Sequence, residues 1–163
     1  MEIDEIFKYL SPITVGFLAA YLGSLLALKK FKKEKLWDER RAIYKEVIEA
    51  FEELGSWSEY MRASHCCEPT INVDVNFDEP LRLISKRSAI GGLFLSEEFQ
   101  KVLEEAHIKL SQIRFQINEE SMPDMGSERE RAEWLFILSK EINEAVNEYL
   151  PKLISIAKNE IPK

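Results

Sequence analysis

Cysteine, glycine and proline are all scarce in this chain of 163 residues: two Cys, six Gly and six Pro. Two thiols, adjacent at Cys66 and Cys67, cannot knit a disulfide framework. So little Gly and Pro excludes a collagen-like repeat and a turn-rich β-sandwich, and a 45% hydrophobic content excludes a disordered polymer. Cationic excess is missing too. A formal net charge of -7 argues against duplex nucleic acid as a partner of the chain as a whole. There is no G-x-S-x-G, no glycine loop to cradle a phosphate and no dinucleotide fingerprint, and only two histidines are present.

What the sequence does have is a long uncharged run. Residues 9–28, YLSPITVGFLAAYLGSLLAL, hold no charge, and a helix of that length spans the roughly 30 Å hydrocarbon core at about 1.5 Å per residue. A cleaved signal peptide would want a basic n-region, whereas residues 1–8 carry Glu2, Asp4 and Glu5 against Lys8. A single uncleaved transmembrane helix is the expectation. Residues 29–41 follow with seven basic and three acidic side chains, a net +4, against -2 for residues 1–8. Basic flanks stay on the cytoplasmic side, so the reading is an inner-membrane protein with a short N-terminal tail outside and residues 36–163 in the cytoplasm. The collar lysines, Lys29, Lys30, Lys32, Lys33 and Lys35, are candidates for contact with anionic headgroups, Tyr9 for the interface, and Trp37 for either the interface or packing in the soluble part.

Small residues recur inside the run. Ala19, Gly23 and Ala27 stand four apart, as do Gly16, Ala20 and Ser24, a spacing that lets two helices approach closely in lipid. Self-association into a homo-oligomer is therefore expected. Pro12 falls in the first turn of that helix, where its missing N–H costs little.

Beyond the collar the chain turns acidic, -9 over residues 42–163, and the apolar period is helical. Ile43, Tyr44, Val47, Ile48, Phe51, Leu54, Trp57 and Met61 make one stripe, with no Pro or Gly between it and the membrane run before Gly55. One helix is expected to continue from the span into the soluble part. Residues 63–79 read as a loop, although the alternation of Ile71, Val73, Val75 and Phe77 is strand-like; with no second strand to pair, an extended loop across the bundle is the expectation. Pro80 should open a short helix ending at Gly91 and Gly92, and Ser96 should cap the next. Ser127 and Glu130 have capping-box spacing before a last helix that Pro151 should kink. The fold class is all-α: one N-terminal transmembrane helix continuing into a cytoplasmic antiparallel helical bundle.

The order of a charged-flanked apolar span, then LWDERRAIYKEVIEAF, then GLFLSEEFQKVLEEA, is similar to small bacterial single-pass membrane proteins of unknown function. That resemblance implies a basic juxtamembrane helix leading into a compact bundle, and a place for some members beside antiphage defence genes. It carries no catalytic residue over.

The search for chemistry yields little. Glu104 and His107 share a helix face at i, i+3, but a di-iron site needs a second such pair. His65, Cys66, Cys67 and Glu68 lack the looped spacing zinc prefers, and free thiols are the expectation. No catalytic residue, cofactor or metal is assigned. One cationic cluster, Arg82, Lys86 and Arg87, stands out as a tentative anion-binding site. Two functional readings follow: a self-associating, non-catalytic membrane-tethered module for a cytoplasmic protein partner, or a membrane effector gated by an anionic ligand such as a cyclic oligonucleotide.

Overall fold

The computed structural model describes residues 3–70, 77–118 and 122–160, with side chains described from residue 15 onward. Four α-helices run in the order α1 (Ile3–His65), α2 (Asp78–Ile90), α3 (Glu97–Ile117) and α4 (Glu128–Asn159), with a 3-10 turn at Gly91–Leu93 between α2 and α3. No strand occurs among the described residues. The expected extended segment is undecided, because residues 71–76 lie outside them.

The chain divides into two compact units, Met1–Glu39 and Arg40–Lys163. In the first, every described side chain from residue 15 to residue 36 is exposed. Large apolar groups are among them: Phe17 is 75% exposed and Leu26 69%. Among the described residues no helix is long and apolar enough to cross a membrane. The uncharged run counts fourteen residues from 15 to 28, and the side chains of its other six, residues 9–14, lie outside the description.

The second unit is a four-helix bundle whose up-down-up-down course is fixed by named contacts. Early α1 meets late α2 through Glu46 and Arg87, and later α1 meets the approach to α2 where Trp57 lies against Phe77, ring centroids 4.5 Å apart. Those two run antiparallel. Early α3 meets late α2 where the Gln100 amide donates to the Ser88 carbonyl at 2.6 Å, and late α3 meets early α2 at Arg114 and Asp78, 3.3 Å. α4 runs back along α1, from His65 stacked on Phe136 (4.3 Å) past Ser58 and Asn143 to Tyr44 and Glu160. Such an order keeps each helix beside its sequence neighbour with short connections.

The apolar stripe read from the sequence over residues 43–61 joins apolar faces of the other three helices in the core. Val47, Phe51 and Leu54 of α1, Ile84 of α2, Phe99, Leu103, Leu110 and Ile113 of α3, and Ile142 and Leu153 of α4 are buried to 1% exposure or less. Each such side chain contributes on the order of 1.5–3 kcal/mol by leaving water. Ser96 caps α3 by accepting from the Phe99 amide, and Ser127 caps α4 by accepting from the Glu130 amide, both at 3.3 Å. α2 begins two residues before Pro80, at Asp78, so the proline falls inside the first turn, where amides have no helical acceptor to lose. Pro151 lies within α4 and does not end it.

Candidate functional site

α1 ends in a left-handed cap. Cys67 has φ 55°, its amide donates to the Ser64 carbonyl at 3.2 Å, and the Glu68 amide donates to the Ala63 carbonyl at 2.8 Å. These are the two bonds of a Schellman motif, with a cysteine where glycine is usual. Arg62 braces the cap, giving Glu68 two parallel hydrogen bonds of 3.2 and 3.0 Å and Glu59 a third of 2.8 Å. Hydrogen bonding to Glu68 first, and then to Glu59, raises the pKa of its guanidinium above the ordinary value. Cys66 and Cys67 are free thiols facing solvent.

A polar recess opens where this end of α1 crosses α4, lined by Ser58, Glu59, Arg62, Ser139, Lys140, Asn143 and Glu144 and about 170 Å³ in volume. Ser58, Glu59, Arg62 and Asn143 are bonded to one another, while Ser139 and Lys140 turn to Phe136. The Asn143 amide donates to Ser58 Oγ at 2.9 Å and to Glu59 Oε1 at 3.2 Å, Ser139 Oγ donates to the Phe136 carbonyl, and Lys140 Nζ lies 4.6 Å from the centre of the Phe136 ring. Hydrogen bonds across the recess join α1 to α4. Among the described residues no group of three or more His, Cys, Asp or Glu is placed to hold a metal ion.

At the opposite end of the bundle a second polar knot gathers Arg40, Tyr44, Glu160 and the chain between α2 and α3. Arg40 Nε donates to the Phe94 carbonyl at 2.6 Å and its Nη1 lies 3.5 Å from Glu160. Tyr44 stacks on Phe99 at 4.2 Å and donates its hydroxyl to Glu160 at 2.5 Å. Burial, and then the hydrogen bond to Glu160, raises the Tyr44 phenol above its ordinary pKa.

The three cations singled out from the sequence do not converge. Arg87 turns toward α1, where its Nε lies 3.0 Å from Glu46 and its Nη2 closer still. Arg82 and Lys86 point away from the core and are exposed, with no ion pair among the described residues. Glu46 lies 41 positions from Arg87, so nothing local in the sequence could announce it. Glu104 holds the Gln100 amide at 2.7 Å, and His107 is half-buried beside it.

In the first unit the residues of interest are all open. A Cβ placed on Gly16 or Gly23 would meet nothing within 4 Å, and Ala19, Ala20 and Ala27 are exposed. Lys29, Lys30, Lys32, Lys33 and Lys35 are exposed as well, with a single loose pair from Lys30 to Glu34 at 3.8 Å.

No family model, no curated protein and no solved structure matches the chain, so its residues alone carry the functional reading.

Proposed function

We propose that this chain is a membrane-tethered interaction module: residues 9–28 span the inner membrane, the N-terminus lies outside, and the acidic bundle works in the cytoplasm without catalysis of its own. The observation that carries the reading is the first unit's inversion. A helix whose Phe17, Leu18, Tyr21, Leu22, Leu25, Leu26 and Leu28 are exposed on all sides has no packed protein face, and hydrocarbon is the environment that suits it. The fourteen described residues are too short to cross; Tyr9 to Thr14 in the sequence supply the remaining turns. Basic residues after the run and acidic ones before it support the orientation.

The test is accessibility in whole cells. With Cys66 and Cys67 changed to Ser, a cysteine at Ile3 should react with a membrane-impermeant thiol reagent and one at Lys158 should not. Extraction of the chain from membranes by alkaline carbonate would defeat the tether. Self-association through the small residues has its own test: Gly23→Ile should weaken oligomers in detergent without reducing insertion, while Leu22→Ile should do far less.

The alternative, an effector gated by an anionic ligand, is left with Arg82 and Lys86, since Arg87 is held by Glu46. The tether needs no such site, and we prefer it.

A further inference from the structure

The corner between α2 and α3 carries an exposed combination that the bundle's packing does not use. Leu93 is 77% exposed, more than any other large apolar side chain described in the bundle, and Ile90 beside it is 40% exposed. Ala89 before them and Gly92 between them also face solvent, while Gly91 is buried. Arg82 and Lys86 precede them on the outward side of α2, at the i, i+4, i+7 steps that put Arg82, Lys86 and Ala89 on one helix face. Along the chain the flanking acids are Glu79, three residues before Arg82, and Glu97 and Glu98, four and five residues after Leu93. A cationic stretch leading to an apolar knob thus stands on a domain that is otherwise acidic.

The corner is also rigid and lies at the bundle's entry. Arg87 is held by Glu46, Gln100 binds the Ser88 carbonyl, and Arg40, the first residue of the bundle, binds the Phe94 carbonyl. Arg40 follows the apolar run by only twelve residues, a short tether.

We infer that this corner is a second membrane contact, in which Ile90 and Leu93 enter the headgroup region of an anionic bilayer while Arg82 and Lys86 engage lipid phosphates. The inference rests on the tether proposed above, with only eleven residues between the apolar run and Arg40. A basic and apolar corner matches an anionic surface in both respects, with positive charge for the phosphates and apolar side chains for the acyl boundary.

The full chain, with Cys66→Ser, Cys67→Ser and Leu93→Cys, should be labelled with an environment-sensitive fluorophore. It is then reconstituted into vesicles of phosphatidylcholine alone or mixed with phosphatidylglycerol. In the mixed vesicles the label should shift to the blue and become about threefold less accessible to an aqueous quencher, with little change in phosphatidylcholine. Arg82→Glu with Lys86→Glu should abolish the protection while circular dichroism stays unchanged. A label equally open in both lipids, in chains that resist carbonate extraction, overturns this contact and spares the tether. Protection that rises with protein density and survives charge reversal also overturns it, assigning the corner to a protein partner. Chains that fail to insert at all overturn the tether first, and this contact with it.

Discussion

The two units of this chain spend the same kind of residue in opposite ways. In the bundle, leucine, isoleucine and phenylalanine point inward at 3.6-residue intervals and leave water; in residues 15–36 they point outward on every side. Composition alone does not separate these cases, because a bundle helix is also rich in Leu and Ala. Charge placement does. Each bundle helix carries acids and bases along the face opposite its stripe, whereas residues 15–28 carry none. The bundle helices bury their stripes within their own chain, whereas residues 15–28 bury no face against the described residues.

Core truncation should break that comparison most sharply. Phe51→Ala removes a fully buried ring at the centre of the bundle and should cost about 3–5 kcal/mol in denaturant unfolding. Leu22→Ala, the same kind of loss in the first unit, should leave the bundle transition where it was. Gly91→Ala comes next. A Cβ there would overlap Gln100 Oε1 and lie 2.5 Å from Leu95 Cδ1, so the Gln100 and Leu95 side chains must move, at about 1 kcal/mol. Gly16→Ala and Gly23→Ala meet nothing within 4 Å and should leave chemical denaturation of the bundle unchanged.

A smaller effect should appear with pH. Tyr44 holds its proton more tightly folded than unfolded, chiefly through burial. Below the ordinary phenol range near pH 10 its contribution is fully present. As pH rises through the raised folded pKa the unfolded state has already lost its proton, and stability falls. Tyr44→Phe should flatten the unfolding midpoint between about pH 9 and pH 11 relative to wild type, and an unchanged slope would remove the phenol as its source. The smallest expected change is a gain. Cys67→Gly relieves a side chain held at φ 55° and should raise stability by up to about 1 kcal/mol in the same unfolding measurement, offset in part by the freer unfolded chain.

Local features of the fold are legible in the sequence and long-range ones are not. The caps at Ser96 and Ser127 and the apolar stripes follow from residue spacing, because a helix brings i, i+3 and i+4 together wherever it sits. The partner of Arg87 does not, since Glu46 is reached only after α1 and α2 have packed. The glycines teach a subtler lesson. Gly91 reads as a helix terminator valued for its free backbone, yet its φ is -62°, ordinary for any residue, and the reason for glycine there is the space taken by Gln100 and Leu95. The position that does adopt positive φ is Cys67, which no glycine rule would select. Of the cationic cluster, Arg82 and Lys86 remain neighbours on one face, and Arg87 is carried off by a carboxylate from another helix.

The knot of Arg40, Tyr44 and Glu160 has a consequence for how this bundle can be built into larger architectures. Because the residue that begins the bundle and one near its last turn touch through their side chains, the whole unit opens and closes its chain at one spot, like a loop on a stem. A domain with adjoining ends can be spliced into an exposed turn of another protein without stretching either host or guest. Cutting the chain between two of its helices and joining the old ends with a few flexible residues should yield a permuted bundle with the same core.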